Sequence, residues 1–163
     1  MKHTISILVE NHAGVLARVA GLFARRGFNI DSLAVGSTED EKISRITIIA
    51  DGTAYTLEQI EKQLNKLIDV IKVRHLPAEE LLSRELVLIK VACQPSQRAE
   101  LISLAEIAKA KISDITVNTM TLELSDSVPR IKTFEELLRP YGIKETVRTG
   151  SIAMQKGGAS MKL

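Results

Sequence analysis

Few residues in this chain could do chemistry, and they are scattered. His3, His12 and His75 fall on separate stretches, and none has a carboxylate or a second ligand at a metal-binding or triad spacing. The pattern therefore predicts no metal site and no catalytic residue, and His12 reads as a solvated loop side chain. Gly14, Gly21 and Gly27 do not fit a dinucleotide fingerprint, and no glycine-rich stretch ends in Lys-Ser or Lys-Thr as a phosphate loop does. Cys93, the only cysteine, follows an apolar run, where a thiol packs rather than attacks. What remains is Glu10-Asn11-His12-Ala13-Gly14-Val15-Leu16. A helix beginning there leaves backbone N–H groups unpaired and carries partial positive charge, so it can receive a carboxylate without any arginine. Gly14 has no Cβ and lets a small ligand come against the backbone. Asn11 offers a neutral carbonyl oxygen to an ammonium group. The loop thus has partners for both ends of an α-amino acid, although the same residues also suit a plain helix cap and turn.

The elements around this loop follow from periodicity. Thr4 to Val9 alternates, with Ile5, Ile7 and Val9 on one face, as a strand covered on one side does. Gly14 to Arg26 carries Val15, Leu16, Val19, Leu22 and Phe23 at helical spacing, closed by Gly27. Phe28–Val35 and Ile43–Ala50 are β-branched segments flanking a polar hairpin loop, Ser37 to Lys42. A second helix bears Leu57, Ile60, Leu64, Leu67 and Ile68, and a fourth strand alternates through Ile71, Val73 and His75. The order β-α-β-β-α-β is the split βαβ, or ferredoxin-like, arrangement. Its second strand lies at a sheet edge, and one this apolar invites pairing with its own copy about a two-fold axis. Cover by the second domain is the alternative.

The same order returns after Pro77 to Ser83, with a strand at Leu86–Val91, a helix at Ser96–Lys111 and strands at Ile112–Val117 and Met120–Leu124. A helix capped by Asp126 or Ser127 follows, carrying Ile131, Phe134, Leu137 and Leu138, and then a strand at Ile143–Ile152. The fold class is α+β, two tandem ferredoxin-like domains. Expected boundaries are 1–76 for the sensing domain, 77–83 for a linker, 84–154 for the second domain and 155–163 for a flexible tail. The 163 residues suffice for two domains of roughly 80 each. A hydrophobic content of 45% and a charged content of 26% mark a globular chain. A net charge of +2 and 3% aromatic residues argue against nucleic acid as a partner. Without an apolar run of roughly 18–20 residues or a signal-peptide shape, the expectation is no membrane and a cytoplasmic location.

Asn11 through Leu33, from Asn-His-Ala-Gly-Val-Leu to Arg-Arg-Gly-Phe-Asn-Ile-Asp-Ser-Leu, resembles the ACT-domain signature of the regulatory small subunit of acetohydroxyacid synthase (acetolactate synthase). Ile43-Ser44-Arg45-Ile46-Thr47, Gln59 to Leu67, Arg84-Glu85-Leu86, and Gly142 to Glu145 with Arg148-Thr149-Gly150 are similar to that family as well. The resemblance implies a non-catalytic subunit. It would activate a separate catalytic subunit and convey feedback inhibition by a branched-chain amino acid, typically valine, bound where two ACT domains meet in a homodimer. Carried over residue by residue, the effector contacts are Asn11, Ala13, Gly14, Val15 and Leu16 from one chain and Asn29 and Ile30 from the other. Thiamine diphosphate, FAD and magnesium are expected in the catalytic partner, with no cofactor in this chain. Cys93-Gln94-Pro95-Ser96 stands where the second half would need the amide and glycine, so sensing is assigned to the first domain. The alternatives are a stand-alone ACT-type sensor acting on another enzyme, or a small ferredoxin-like hydrolase, which would need an arginine in the loop.

Overall fold

A computed structural model describes residues 1–162, leaving Leu163 of the expected tail outside the described residues. The chain divides into two units: residues 1–82 together with the stretch from Ser151, and residues 83–150.

Unit 1 is a four-stranded antiparallel sheet of order β2-β3-β1-β4, built from β1 (Lys2–Glu10), β2 (Ile30–Ser37), β3 (Ile43–Asp51) and β4 (Val70–Leu76). Helices α1 (Val15–Arg26) and α2 (Ala54–Leu64) follow β1 and β3. The order confirms the split βαβ arrangement and leaves β2 at an edge. Ile5, Ile7 and Val9 of β1 pack with Ile46, Ile48 and Ala50 of β3 against Val15, Val19, Leu22 and Phe23 of α1. Each large aliphatic or aromatic side chain fully buried there contributes about 1.5–3 kcal/mol. α1 ends because Gly27 turns left-handed (φ 70°), its N–H donating to the Ala24 carbonyl and that of Phe28 to the Phe23 carbonyl.

The opposite face of this sheet is not bare. Ser6 and Leu8 are buried there, because residues 151–162 return across it. Arg45 donates through Nε to the Ser6 hydroxyl (2.8 Å) and through Nη2 to the Ala153 carbonyl (3.0 Å). The Ser151 N–H donates to Ser32 Oγ (2.9 Å), Arg74 Nη1 to the Ser160 carbonyl (3.1 Å) and Lys72 Nζ to the Lys162 carbonyl (2.6 Å). Leu8, the apolar exception to the β1 alternation, lines a cavity of about 250 Å³ with Ile43 and Met161. The segment expected to be a free tail from 155 is therefore tied down to residue 162. Residues 77–82, expected as linker, also belong to this unit: Lys156 N–H donates to the Glu80 carbonyl at 2.7 Å.

Unit 2 has sheet order β6-β7-β5-β8, from β5 (Leu81–Ala92, in this unit from Ser83), β6 (Lys111–Ile115), β7 (Thr119–Asp126) and β8 (Ile143–Arg148). Helices α3 (Arg98–Ala108) and α4 (Val128–Leu138) bury Leu101, Ala105, Ile131, Phe134 and Leu138 against it. Cys93 is fully buried in that core, a packed thiol.

Four expectations are corrected. Helix α2 stops at Leu64, where Asn65 Nδ2 caps the Glu61 carbonyl, so Ile68 stands 92% exposed beyond it. Ile71 falls at a register shift opposite Leu8 and Val9 and faces out, while Val70 and Val73 pack on the core. Leu137 lies on the wet side of α4. The single last strand is two, β8 and β9 (Ile152–Gln155), separated where Gly150 takes φ 79°.

Candidate effector site

The loop between β1 and α1 is held from two sides. The Asn11 N–H donates to the Lys42 carbonyl (2.8 Å), and Asn11 Nδ2 donates to the Glu41 carbonyl (2.7 Å) in the β2–β3 hairpin. A carbonyl accepts only, so this contact fixes the carboxamide orientation and leaves Oδ1 as the arm able to accept from an ammonium group. On the other side the Glu10 N–H donates to the Asp69 carbonyl (2.9 Å) ahead of β4.

Gly14 is the N-cap of α1 at φ 87°, ψ −11°, a left-handed conformation that glycine adopts at no steric cost. No side chain caps this helix start and no acidic residue lies in its first turn, so its positive end is uncompensated. A Cβ built on Gly14 would meet only the Arg18 guanidinium, Nη1 at 3.8 Å and Nη2 at 4.0 Å. Arg18 sits one turn on and reaches back over the glycine, and its Nε donates to Asp69 Oδ2 at 2.6 Å. The anion-receiving corner thus includes an arginine, where the sequence pointed to a carboxylate site without one. The i, i+4 spacing of Gly14 and Arg18 was the available signal.

The remaining expected contacts separate into two groups. Asn11, Ala13 and Gly14 are exposed, and Leu16 presents 43% of its surface as an apolar wall next to them. Val15 is 3% exposed and packs into the core, so its side chain is not open to a ligand. Asn29 is exposed after the far end of α1, its Nδ2 donating to Asp31 Oδ1 (2.8 Å), and Ile30 is half-buried on edge strand β2. The 12 residues of α1 intervene, a span of about 18 Å at 1.5 Å per residue. One chain does not bring the two groups together.

His12 is not simply solvated. Its Nε2 lies 3.0 Å from Asp69 Oδ1 and 3.2 Å from Glu10 Oε2, and its Nδ1 lies 3.1 Å from the Ala13 carbonyl. Its pKa is raised, first by the hydrogen bond to Ala13; desolvation opposes this, and the charges of Asp69 and Glu10 add to the rise. Asp69 is the residue that spacing could not reveal: it is 57 positions from His12 (69 − 12) and arrives because β4 pairs with β1.

Residues 5–72 match the model of the AHAS small subunit-like ACT domain, and residues 84–157 match that of the small subunit of acetolactate synthase. Over 157 residues the chain is 50% identical to the probable acetolactate synthase small subunit of Archaeoglobus fulgidus, covering 96% of this chain and 98% of that one. The chain belongs to the acetolactate synthase small subunit family. The acetolactate synthase small subunit of Mycobacterium leprae is 44% identical over 155 residues, 95% of this chain and 92% of that one. The crystal structure of the small subunit from Thermotoga maritima has 38% identity and a TM-score of 0.92, covering 98% of this chain and 99% of that one. Family membership with an ACT domain fits a regulatory subunit of acetolactate synthase rather than a catalytic one, and implies a catalytic-subunit partner. Among the described residues no helix is long and apolar enough to cross a membrane.

Proposed function

We propose that this chain activates an acetolactate synthase catalytic subunit and makes it sensitive to a branched-chain amino acid, valine first, bound between the N-terminal units of two copies. The observation that carries this reading is the uncapped start of α1, with left-handed Gly14 under the Arg18 guanidinium and Asn11, its carboxamide held by the Glu41 carbonyl, three residues earlier in the same loop. The effector carboxylate docks on the first N–H groups of α1 and on Arg18. Its ammonium donates to Asn11 Oδ1, and its branched side chain lies along Leu16. The second group, Asn29 and Ile30, is about a helix length away in the same chain, so it reaches this corner from a partner copy paired along edge strand β2. The chain carries out no catalysis itself. Thiamine diphosphate, FAD and magnesium belong to the catalytic partner.

Mixed dimers test this. Gly14→Asp damages one group and Asn29→Ala the other. If the site spans two chains, a heterodimer of the two variants has one intact and one doubly damaged site, and calorimetry recovers about one strong valine site per dimer. A site within one chain leaves both sites singly damaged. No recovery in a verified heterodimer refutes the two-chain reading.

A further inference from the structure

The three donor atoms around His12 form an arrangement that effector binding does not use. The Ala13 carbonyl at Nδ1 is an acceptor only, so the neutral ring carries its proton on Nδ1 and turns the Nε2 lone pair outward. In that neutral ring the lone pair meets Asp69 Oδ1 at 3.0 Å and Glu10 Oε2 at 3.2 Å. Three acceptors in mutual contact repel unless a positive charge sits among them, either a proton on Nε2 or a metal ion taking its place. Zinc–nitrogen and zinc–carboxylate bonds run about 2.0–2.2 Å, which places neighbouring ligand atoms roughly 3.0–3.5 Å apart. Both Nε2 distances lie in that range, and all three atoms lie within 4.8 Å of one another. Glu10, more than half exposed, is the ligand free to close the remaining distance.

The surroundings are those of a held donor set. The Ala13 carbonyl fixes the ring tautomer and orientation, as outer partners of metal-bound histidines do. Arg18 occupies Asp69 Oδ2 and so directs Oδ1 toward His12, while the Glu10 N–H to Asp69 carbonyl bond locks two ligand backbones together. Asp69 is 7% exposed, which gives the set one rigid, nearly buried member. One imidazole with two carboxylates suits zinc or manganese, whereas calcium and magnesium favour all-oxygen sets. We propose that Glu10, His12 and Asp69 bind one divalent transition-metal ion, zinc or manganese, at the foot of α1. The ion joins the end of β1 to the β4 entry and clamps the loop on which Asn11 and Gly14 lie. Arg18 leaves the donor set with little net negative charge, so binding is reversible rather than structural.

The full chain, stripped with chelator, is titrated with zinc in a chromophoric competition assay and with manganese by electron paramagnetic resonance. One ion per chain is expected. His12→Gln, a substitution at an exposed side chain, should weaken binding at least tenfold, Glu10→Gln less, and a His3→Gln, His75→Gln double variant not at all. Circular dichroism confirms that each variant is folded. Absence of binding at millimolar ion, which would leave a protonated His12 ion pair as the whole content of the cluster, overturns the proposal. So does binding that survives His12→Gln or that disappears with the other two histidines. Neither readout depends on valine, so failure here leaves the effector reading untouched.

Discussion

Gly14→Ala separates two reasons for the glycine, backbone conformation and room for a ligand. At φ 87° a residue with a Cβ incurs about 1–2 kcal/mol of left-handed strain, partly offset by the smaller conformational freedom of alanine in the unfolded chain. Steric cost adds little, since the only atoms near the new methyl are those of the Arg18 guanidinium at 3.8–4.0 Å, ordinary contact. The net stability loss is then about 1 kcal/mol, a drop of roughly 4–8 °C in melting temperature for a domain of this size. The methyl stands beside the Arg18 guanidinium at the start of α1, where the carboxylate of the effector is assigned. Losing one charge-assisted hydrogen bond there costs about 1.5–3 kcal/mol, which is tenfold or more in affinity. Thermal unfolding and valine calorimetry on the same preparation read the two quantities separately. If the variant melts earlier yet binds valine as the parent does, the carboxylate does not dock at Gly14 and the reasoning fails.

Two further outcomes follow from geometry. His75 is held below its ordinary pKa of 6.5, first by burial and then by His3, with Glu61 opposing. The unfolded chain therefore takes up this proton first as pH falls, and stability that is full above about 6.5 declines below it. Urea titrations of His75→Gln should show a flatter decline than the parent, and equal slopes would exclude His75 as the cause. Arg45→Met removes the bond to the Ala153 carbonyl, worth about 1–2 kcal/mol, so amide exchange over residues 151–162 should accelerate by roughly one decade while β6 and β7 stay protected. Unchanged exchange would mean that Arg45 does not fasten the segment.

Sequence periodicity reached the two β-α-β-β-α-β units because each helix and strand shows its buried face locally. Val15, Val19, Leu22 and Phe23 form one stripe, and Ile5, Ile7 and Val9 one alternating face. It failed where a contact is made across the chain. Ile71 alternates correctly with Lys72 yet faces solvent, because the register shift opposite Leu8 and Val9 is a property of the pair of strands and not of either one. Leu67 and Ile68 continue the α2 stripe past the point where Asn65 ends the helix. Leu8 looked like a lapse in alternation until the returning segment covered it. In the candidate site, the helix start at Gly14 was legible from residue type, and the αL angle there gives that residue type its reason. Asp69 and the Glu41 carbonyl were not, since they come from the β4 entry and the β2–β3 hairpin.

The returning segment also sets an order of events during synthesis. Residues 83–150 leave the ribosome after the sheet of unit 1 has all four of its strands and before the stretch that covers its second face. At about 5–20 residues per second this leaves an interval of several seconds in which Ser6, Leu8, Arg45 and Arg74 lie open to water and to other nascent chains. Unit 1 is thus interrupted, not merely followed, by unit 2. A translational pause placed after residue 150 would lengthen the exposure of that face.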